Sequence, residues 1–238
     1  MRYHILDTET VGLTPFEHGG GVCEISVREV DEDFNEIAHY YSLIDPEGPI
    51  SAGASGVHGI LNAHVEDAPT MAEWLTIVLD CDIWSAAQTP MYFIAHNSTF
   101  DHKFLARYLK CEYRLVDTLM LARRYYPDAE NHKLTTLAVL LELDGFSAKD
   151  AHGAGQDTAM LMELVKRLCL DSGLNLQELC EDAQRKEPIT KFPFGKHKGK
   201  LIADVVKADK GYIKWCLNKM DSLQPDMREA LEAALETA

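Results

Sequence analysis

The pattern of hydrophobic and polar residues along the first half of the chain predicts short β-strands. Three runs with strand composition follow one another, at 3–10, 22–30 and 37–44. The polar sequence Asp31-Glu32-Asp33 separates the second run from the third, which favours an antiparallel pair. Two later apolar runs, 91–95 and 114–117, have the composition of further short strands.

Apolar residues three and four positions apart predict helices in the remaining segments. We expect these helices at 70–84, 100–109, 118–126, 134–143 and 158–170, with Thr70 and Asp117 capping the first and the third. The order βββαβαβα predicts an α/β fold. Its mixed sheet begins as an antiparallel meander, continues with parallel strands and is flanked by helices.

Length and composition narrow the class of protein. With 238 residues, the chain has room for one large domain or for an ordinary domain with a small appendage. It is 46% hydrophobic and 26% charged, and no apolar run approaches the roughly 18 residues of a membrane helix. The N-terminus lacks a basic start followed by an apolar stretch, so we expect a cytoplasmic protein with no membrane partner. Six scattered cysteines fit reduced thiols and show no zinc-site spacing.

The charge of the chain is unevenly distributed. The formal net charge is −15, but residues 184–219 contain ten Lys or Arg and three acids, a net of +7 that leaves −22 for the remainder. This asymmetry is expected if an acidic body binds metal while a basic appendage holds nucleic acid. A solvated basic face would give the same composition, and charge alone favours neither interpretation.

Two carboxylates at the end of the first strand are candidates for metal binding. Asp7 and Glu9 are two residues apart, so their side chains project to the same side of the strand. Carboxylates held that close tend to share a proton or to be neutralised by a cation such as Mg²⁺ or Mn²⁺. By themselves, they also fit a solvated strand end with two surface acids.

A second candidate group lies later in the chain. The small residues at 153–156 separate His152 from Asp157, which places the histidine on a loop and the carboxylate where a helix begins. Asp101 falls in the first turn of another predicted helix. A loop histidine is usually a surface residue, so His152 is a functional candidate only in combination with the other site residues.

Taken in order, these residues resemble the three motifs of the DEDD exonucleases of the ribonuclease H-like fold, in the subgroup whose third motif contains histidine. The motifs are Asp7-Thr8-Glu9 with Gly12-Leu13, then Ala95-His96-Asn97 with Phe100-Asp101, and His152 with Asp157 five residues later. The stretch Val57-His58-Gly59-Ile60 is similar to a segment of the proofreading-type members. The resemblance covers about residues 1–170.

The resemblance implies a set of site residues and two metal ions, Mg²⁺ or Mn²⁺. The catalytic residues would be His152 as general base and four metal-binding carboxylates: Asp7 bridging, Glu9 and Asp157 completing one site, and Asp101 supporting the other. The substrate-binding residues would be Thr8, Leu13, His58, Asn97 and Phe100.

The activity implied is 3′–5′ hydrolysis at DNA 3′ ends, single-stranded or duplex, with release of nucleoside 5′-monophosphates in repair or end trimming. Three alternatives remain open from the sequence. They are an exoribonuclease or oligoribonuclease, a proofreading-type subunit, and a non-catalytic nucleic-acid-binding module.

The C-terminal segment resembles a small module carried by an exodeoxyribonuclease of this family. The resemblance rests on residues 192–200 (FPFGKHKGK), Asp209, Gly211-Tyr212 and Trp215. We therefore expect an exonuclease domain at 1–170, a linker at 171–188 and a small basic module at 189–238. Phe192, Phe194, Tyr212 and Trp215 are expected to form its core, while the lysines bind the DNA backbone or only solubilise a hairpin.

Overall fold

The computed structural model describes residues 2–18, 20–79, 91–109, 112–144, 153–185, 189–192, 194–220, 223 and 225–237. The chain divides into two compact units, Met1–Gln184 and Arg185–Ala238. The first contains the sheet and the candidate carboxylates. The described part of the second is mainly helical.

A five-stranded mixed sheet forms the centre of the first unit, which confirms the predicted fold class. Its strands are β1 (Tyr3–Thr10), β2 (Val22–Val30), β3 (Glu36–Leu43), β4 (Met91–Ala95) and β5 (Tyr113–Asp117), in the spatial order β3-β2-β1-β4-β5. The pairs β1–β2 and β2–β3 are antiparallel, whereas β1–β4 and β4–β5 are parallel. The central strand is therefore β1, the strand that carries Asp7 and Glu9.

Helices cover both faces of this sheet. Among the described residues of the first unit they are α1 (Ala52–His58), α2 (Asn62–Val65), α3 (Met71–Leu79), α4 (Ser98–Leu105), α5 (Thr118–Tyr125), α6 (Leu134–Leu140), α7 (Ala154–Ser172) and α8 (Leu176–Asp182). Tyr3 and Ile5 pack into a core cluster with α5 to α8, and Leu6 packs into another with α3 and α4. Because side chains alternate along β1, its odd-numbered residues face α7 and its even-numbered residues face α4.

Several helix boundaries differ from the prediction. Helix α4 begins at Ser98 and α7 at Ala154, earlier than the predicted starts at 100 and 158. Helices α1 and α2 were not predicted, because elements this short contain too few turns to show a period. The helix predicted at 70–84 is observed as α3, and its residues beyond Leu79 lie outside the described part of the chain.

The predicted linker at 171–188 is wrong for its first half, which belongs to the core of the first unit. Gly173 ends α7 in the left-handed region, and Asn175 caps α8 by accepting a hydrogen bond from the Glu178 N–H. Leu176 and Leu179 are both 1% exposed. The glycine and asparagine that favoured a linker are a helix stop and a helix start between two packed helices.

In its described residues, the second unit has three helices around a small apolar core. They are α9 (Ile202–Ala208), α10 (Lys210–Lys219) and α11 (Pro225–Glu236), preceded by a single 3₁₀ turn at Gly195–His197. Phe192 is buried with residues of all three helices, and Tyr212 packs partly buried against them. Trp215, predicted to join this core, is 51% exposed instead.

The remaining sequence expectations concern the cell compartment. No helix in the described part of the chain is both long enough and apolar enough to cross a membrane. The described cysteines, Cys23, Cys169, Cys180 and Cys216, are free thiols. The cytoplasmic location stays a prediction.

Candidate active site

Three carboxylates from two elements meet at the C-terminal end of β1. Asp7 and Glu9 project to the face of the sheet that α7 covers, and Asp157 lies in the first turn of α7. One oxygen of each carboxylate lies within 4.8 Å of the others, and all three residues are partly buried. Oxygen atoms at this separation can share a single cation.

The electrostatics of this cluster oppose its full ionisation. Burial raises the pKa of Asp7 well above its ordinary value, and the charges of Asp101 and Asp157 raise it further. Burial also raises the pKa of Glu9 to about 8, with added repulsion from Asp157 and Glu24. Without a cation, the cluster therefore retains protons at neutral pH. An all-oxygen, negatively charged donor set of this kind fits a hard divalent cation.

Asp101 lies beside this cluster and is oriented by β1. It is 4% exposed, and its Oδ1 accepts hydrogen bonds from the Thr8 N–H at 3.1 Å and from the Thr8 hydroxyl at 2.8 Å. Burial raises the pKa of Asp101 to about 7, although the hydrogen bonds from Thr8 act in the opposite direction. Thr8 therefore positions the fourth carboxylate through both its N–H and its hydroxyl. The predicted contact of Thr8 with substrate stays a prediction.

An open cleft of about 410 Å³ brings together three of the predicted substrate-binding residues. Leu13, His58 and Phe100 line it together with Glu9. Leu13 is 81% exposed, so its apolar surface is accessible to a ligand. Phe100 is supported from behind by Phe104, with ring centroids 5.5 Å apart. The cleft therefore joins an apolar floor to one of the clustered carboxylates.

His58 connects α1 to the end of β1 at the wall of this cleft. Its Nδ1 accepts a hydrogen bond from the Ile60 N–H at 3.0 Å, which leaves Nε2 to donate to the Thr10 carbonyl oxygen at 3.3 Å. Burial lowers the pKa of His58, so its ring is neutral at neutral pH. A substrate contact of His58 stays a prediction.

Asn97 lies apart from that cleft. It precedes α4 with a φ of 73°, and its N–H donates to Asp117 Oδ1 at 3.0 Å. It lines a second, more polar cleft of about 540 Å³ with Arg123 and Lys133. Asp117 also accepts a hydrogen bond from the Leu119 N–H at 2.9 Å, which confirms it as the cap of α5 rather than a ligand.

Glu24 is a candidate site residue that the sequence analysis missed. It lies on β2 directly opposite Glu9 and is 6% exposed. Its Oε1 accepts a hydrogen bond from the Tyr41 hydroxyl at 2.6 Å, and its Oε2 accepts one from the Ala154 N–H at 2.7 Å. The only sequence signal was an acid inside an apolar strand, and only the strand register places that acid beside the cluster.

The predicted general base, His152, lies outside the described residues. The loop of small residues predicted to follow it is short, because Gly155 and Gln156 already belong to α7. The first residue of that helix, Ala154, is the one held by Glu24. The helix start, and with it Asp157 one turn later, is therefore attached to β2.

Two protein families match the chain. The family described as Exonuclease matches residues 4–165, and the family described as Exodeoxyribonuclease X-like C-terminal matches residues 192–221. The first match covers more than half of the chain and spans all five predicted catalytic positions.

Individual proteins with similar sequences and structures agree with these matches. Exodeoxyribonuclease 10 of Escherichia coli (strain K12) is 31% identical over 235 residues, 98% of both chains. The DNA polymerase III subunit epsilon of Rickettsia prowazekii (strain Madrid E) is 33% identical over 174 residues, 69% of this chain and 72% of that protein. The structure of Exonuclease X in complex with 5′ overhanging duplex DNA has a TM-score of 0.58 and 25% identity, and covers 76% of this chain and 99% of that one. The nuclease domain of a DEDDh family member bound to rAMP shares the fold, with a TM-score of 0.55 and 18% identity over 72% of this chain and 92% of that one.

Proposed function

Because this chain belongs to the DEDDh exonuclease family and is a 3′–5′ exonuclease, we propose that it acts on DNA 3′ ends and releases nucleoside 5′-monophosphates. The observation that carries the proposal is the meeting of Asp7, Glu9 and Asp157 within 4.8 Å on the fold of this family. A DNA substrate is supported by the similarity to Exodeoxyribonuclease 10 and to Exonuclease X bound to duplex DNA. Trimming of DNA ends, as in repair, is a process that such an activity would serve.

The carboxylates would hold divalent cations, Mg²⁺ or Mn²⁺. Asp7, Glu9 and Asp157 would hold one ion, and Asp101 together with Asp7 would hold a second. Bound cations supply the positive charge that admits an anionic phosphodiester and they lower the pKa of water. Cation binding would also displace the protons that the raised pKa values of Asp7 and Glu9 retain.

Side chains of the protein would position the carboxylates and accept a proton from the attacking water. Thr8 holds Asp101 in place through two hydrogen bonds to a single oxygen. His152 would accept a proton from the attacking water, because imidazole is the side chain most often used as a general base near neutral pH. Glu24 holds Ala154, two residues after that histidine in sequence, so it fixes the end of the segment that carries the base.

The cleft beside Glu9 would bind the terminal nucleotide. Leu13 and Phe100 offer apolar surfaces to the base and sugar, and Glu9 lies on the wall of the same cleft. A nucleotide that packs on these side chains would therefore bring its phosphate toward the carboxylate cluster. His58 contributes a rigid wall here because both of its ring nitrogens have backbone partners.

The two compact units would have different functions, catalysis in the first and substrate binding in the second. The first, through Gln184, contains the carboxylates and the cleft. We propose that the second, which includes the basic residues at 189–219, holds the substrate.

The proposal is tested by incubating the protein and Mg²⁺ with 5′-labelled DNA and RNA strands of equal sequence. We expect a ladder that shortens from the 3′ end on DNA and free nucleoside 5′-monophosphates by chromatography. Asp7→Asn, which removes a ligand, is the matched control for contaminating nucleases. A faster reaction on RNA, or hydrolysis of dinucleotides alone, would replace the proposal with the ribonuclease alternative. Absence of product from every strand would favour the binding module.

A further inference from the structure

Trp215 is a large aromatic side chain on the surface of the second unit. It lies on α10 and is 51% exposed. Its ring stacks on that of Tyr212, one helical turn earlier, with centroids 5.8 Å apart and an angle of 23° between the planes. A stacked aromatic pair with one ring this exposed is the kind of surface on which a nucleic-acid base can stack.

Tyr212, which stacks on Trp215, is held through both its ring and its backbone. A Cβ atom at Gly195 would lie 2.2 Å from the Tyr212 hydroxyl, and Gly195 has a φ of +68°, so only glycine fits there. His197 packs edge-on against Tyr212 with ring centroids 4.9 Å apart. Asp209 Oδ1 accepts a hydrogen bond from the Tyr212 N–H at 3.1 Å. The Tyr212–Trp215 pair thus has a rigid support, which is formed by Gly195, His197 and Asp209.

The surroundings of this aromatic pair are positively charged. Residues 189–220 contain eight lysines, all exposed where described, and two aspartates. One of these, Asp209, already contacts Lys196 at 2.7 Å and His197 at 3.0 Å, and these contacts hold the pKa of its carboxyl well below the usual range. Lys196 Nζ also lies 4.9 Å from the centroid of the Tyr212 ring.

Lysine also follows Trp215 along α10. Lys219 is four residues after Trp215, and residues at that spacing are neighbours on a helix surface. The acids of the second unit are concentrated in α11, which lies after this basic segment and buries Met227 and Leu231 in the core. Lys196 therefore lies over the Tyr212 ring, and Lys219 occupies the helix position next to Trp215.

We propose that Trp215, supported by Tyr212, is a base-stacking site for single-stranded nucleic acid, with the neighbouring lysines binding the adjoining phosphates. Interleaved aromatic and cationic side chains are the means by which proteins hold single strands without reading their sequence, because every base has a stacking face. The cores of protein–protein interfaces are depleted in lysine, so the composition of this surface favours a polyanion over a protein partner. This site lies in the second unit, whereas the carboxylate cluster belongs to the first.

The test measures binding by the full chain in EDTA, so that no strand is hydrolysed. The probes are fluorescent oligodeoxythymidylate and an abasic strand of the same length and charge. We expect Trp215→Ala to weaken binding of the thymidylate strand roughly 5- to 150-fold, the range for loss of one stacked base, and to leave binding of the abasic strand unchanged. Trp215→Phe should retain most of the affinity, and Lys219→Ala should weaken both strands alike and reduce the salt dependence.

A matched control and a direct signal complete the experiment. Leu201, 44% exposed in the same unit, is the control, and Leu201→Ala should bind as the wild type does. Tryptophan fluorescence quenched by the strand in the wild type but not in Trp215→Phe would locate the base on Trp215, since the other two tryptophans, Trp74 and Trp84, are present in both proteins. Equal affinity of Trp215→Ala and wild type for thymidylate, or equal losses on both strands, would overturn the proposal. Because no hydrolysis is needed, this outcome is separate from any failure of the proposed exonuclease activity.

Discussion

Glu24 accepts a hydrogen bond from the backbone N–H of Ala154 at 2.7 Å, so a side chain of β2 holds the first residue of α7. The same carboxylate lies opposite Glu9 in the sheet. One buried acid thus joins the strand that carries two of the clustered carboxylates to the helix that carries the third, Asp157.

This relationship predicts that Glu24 is a positioning residue. Glu24→Ala should lower kcat by roughly 10- to 100-fold with little change in KM, because a displaced helix start misplaces Asp157 and the segment before it. Glu24→Gln should recover most of the rate, since its amide oxygen can accept the Ala154 N–H.

The control for this prediction is Glu29→Ala on the same strand. Glu29 is 3% exposed and lies 3.2 Å from Arg2, so its loss should lower the melting temperature and leave kcat unchanged. If both substitutions reduced kcat in proportion to the lost stability, Glu24 would be only a structural residue.

Asp7→Asn should abolish hydrolysis without unfolding the protein. The pKa of Asp7 is raised by burial and by the charges of Asp101 and Asp157, so the folded metal-free protein must either protonate this carboxyl or bear the repulsion, and a neutral amide avoids both costs. We expect the melting temperature in EDTA to stay equal or to rise slightly, and the increase caused by Mg²⁺ to be lost. A metal-free melting temperature several degrees below that of the wild type would contradict this explanation.

Metal-free stability should fall as pH rises through neutrality. The pKa of Glu9 is raised to about 8 and that of Asp101 to about 7, so the folded state binds protons that the unfolded chain releases at lower pH. Their contribution to stability is complete below the ordinary carboxyl pKa and is lost as pH passes through these raised values.

The measurement compares melting temperatures in EDTA at about pH 5.5 and about pH 8, for the wild type and for Glu9→Gln. The variant should lose less stability between the two conditions, and Mg²⁺ should raise the wild-type melting temperature more at the higher pH. An identical pH dependence in both proteins would show that protonation of Glu9 does not contribute to the metal-free stability.

His152→Ala tests the proposed general base. The four carboxylates remain, so binding of Mg²⁺ and DNA should persist while the rate falls on the order of 10²- to 10⁴-fold. The residual rate should increase with pH, because hydroxide replaces the missing base. His64, an exposed histidine whose Nδ1 accepts the Leu61 N–H, is the matched control. Retention of more than about a third of the rate in His152→Ala would make that residue an ordinary loop histidine.

Truncation after Arg185 tests the proposal that the first unit is catalytic and the second binds substrate. The first unit has its own core clusters on both faces of the sheet, so turnover at saturating oligonucleotide should stay nearly unchanged. Affinity should decrease, and the slope of log affinity against log salt should fall by about 0.7 for each single-strand phosphate that the shortened protein no longer binds. The same salt slope in both proteins would show that the second unit does not hold DNA.

The sequence by itself determined the features that depend on near neighbours. Alternation along β1 places Asp7 and Glu9 on one side, and this relation holds whatever the strand packs against. The capping role of Asp117 and the order of strands and helices likewise follow from residue types at short spacing. Such patterns repeat within a few residues, so they are readable before any tertiary contact is known.

Only the tertiary structure decided which distant residues meet. The register of β2 on β1 puts Glu24 opposite Glu9, and a shift of one residue would turn that acid to the other face. The closeness of Asp157 to Asp7, the bond from Thr8 to Asp101 and the exposure of Trp215 also depend on how separate elements pack. The hydrophobic pattern predicts whether a side chain is buried or exposed. Its neighbours are determined by strand register and helix packing, because these bring together positions that are far apart in the chain.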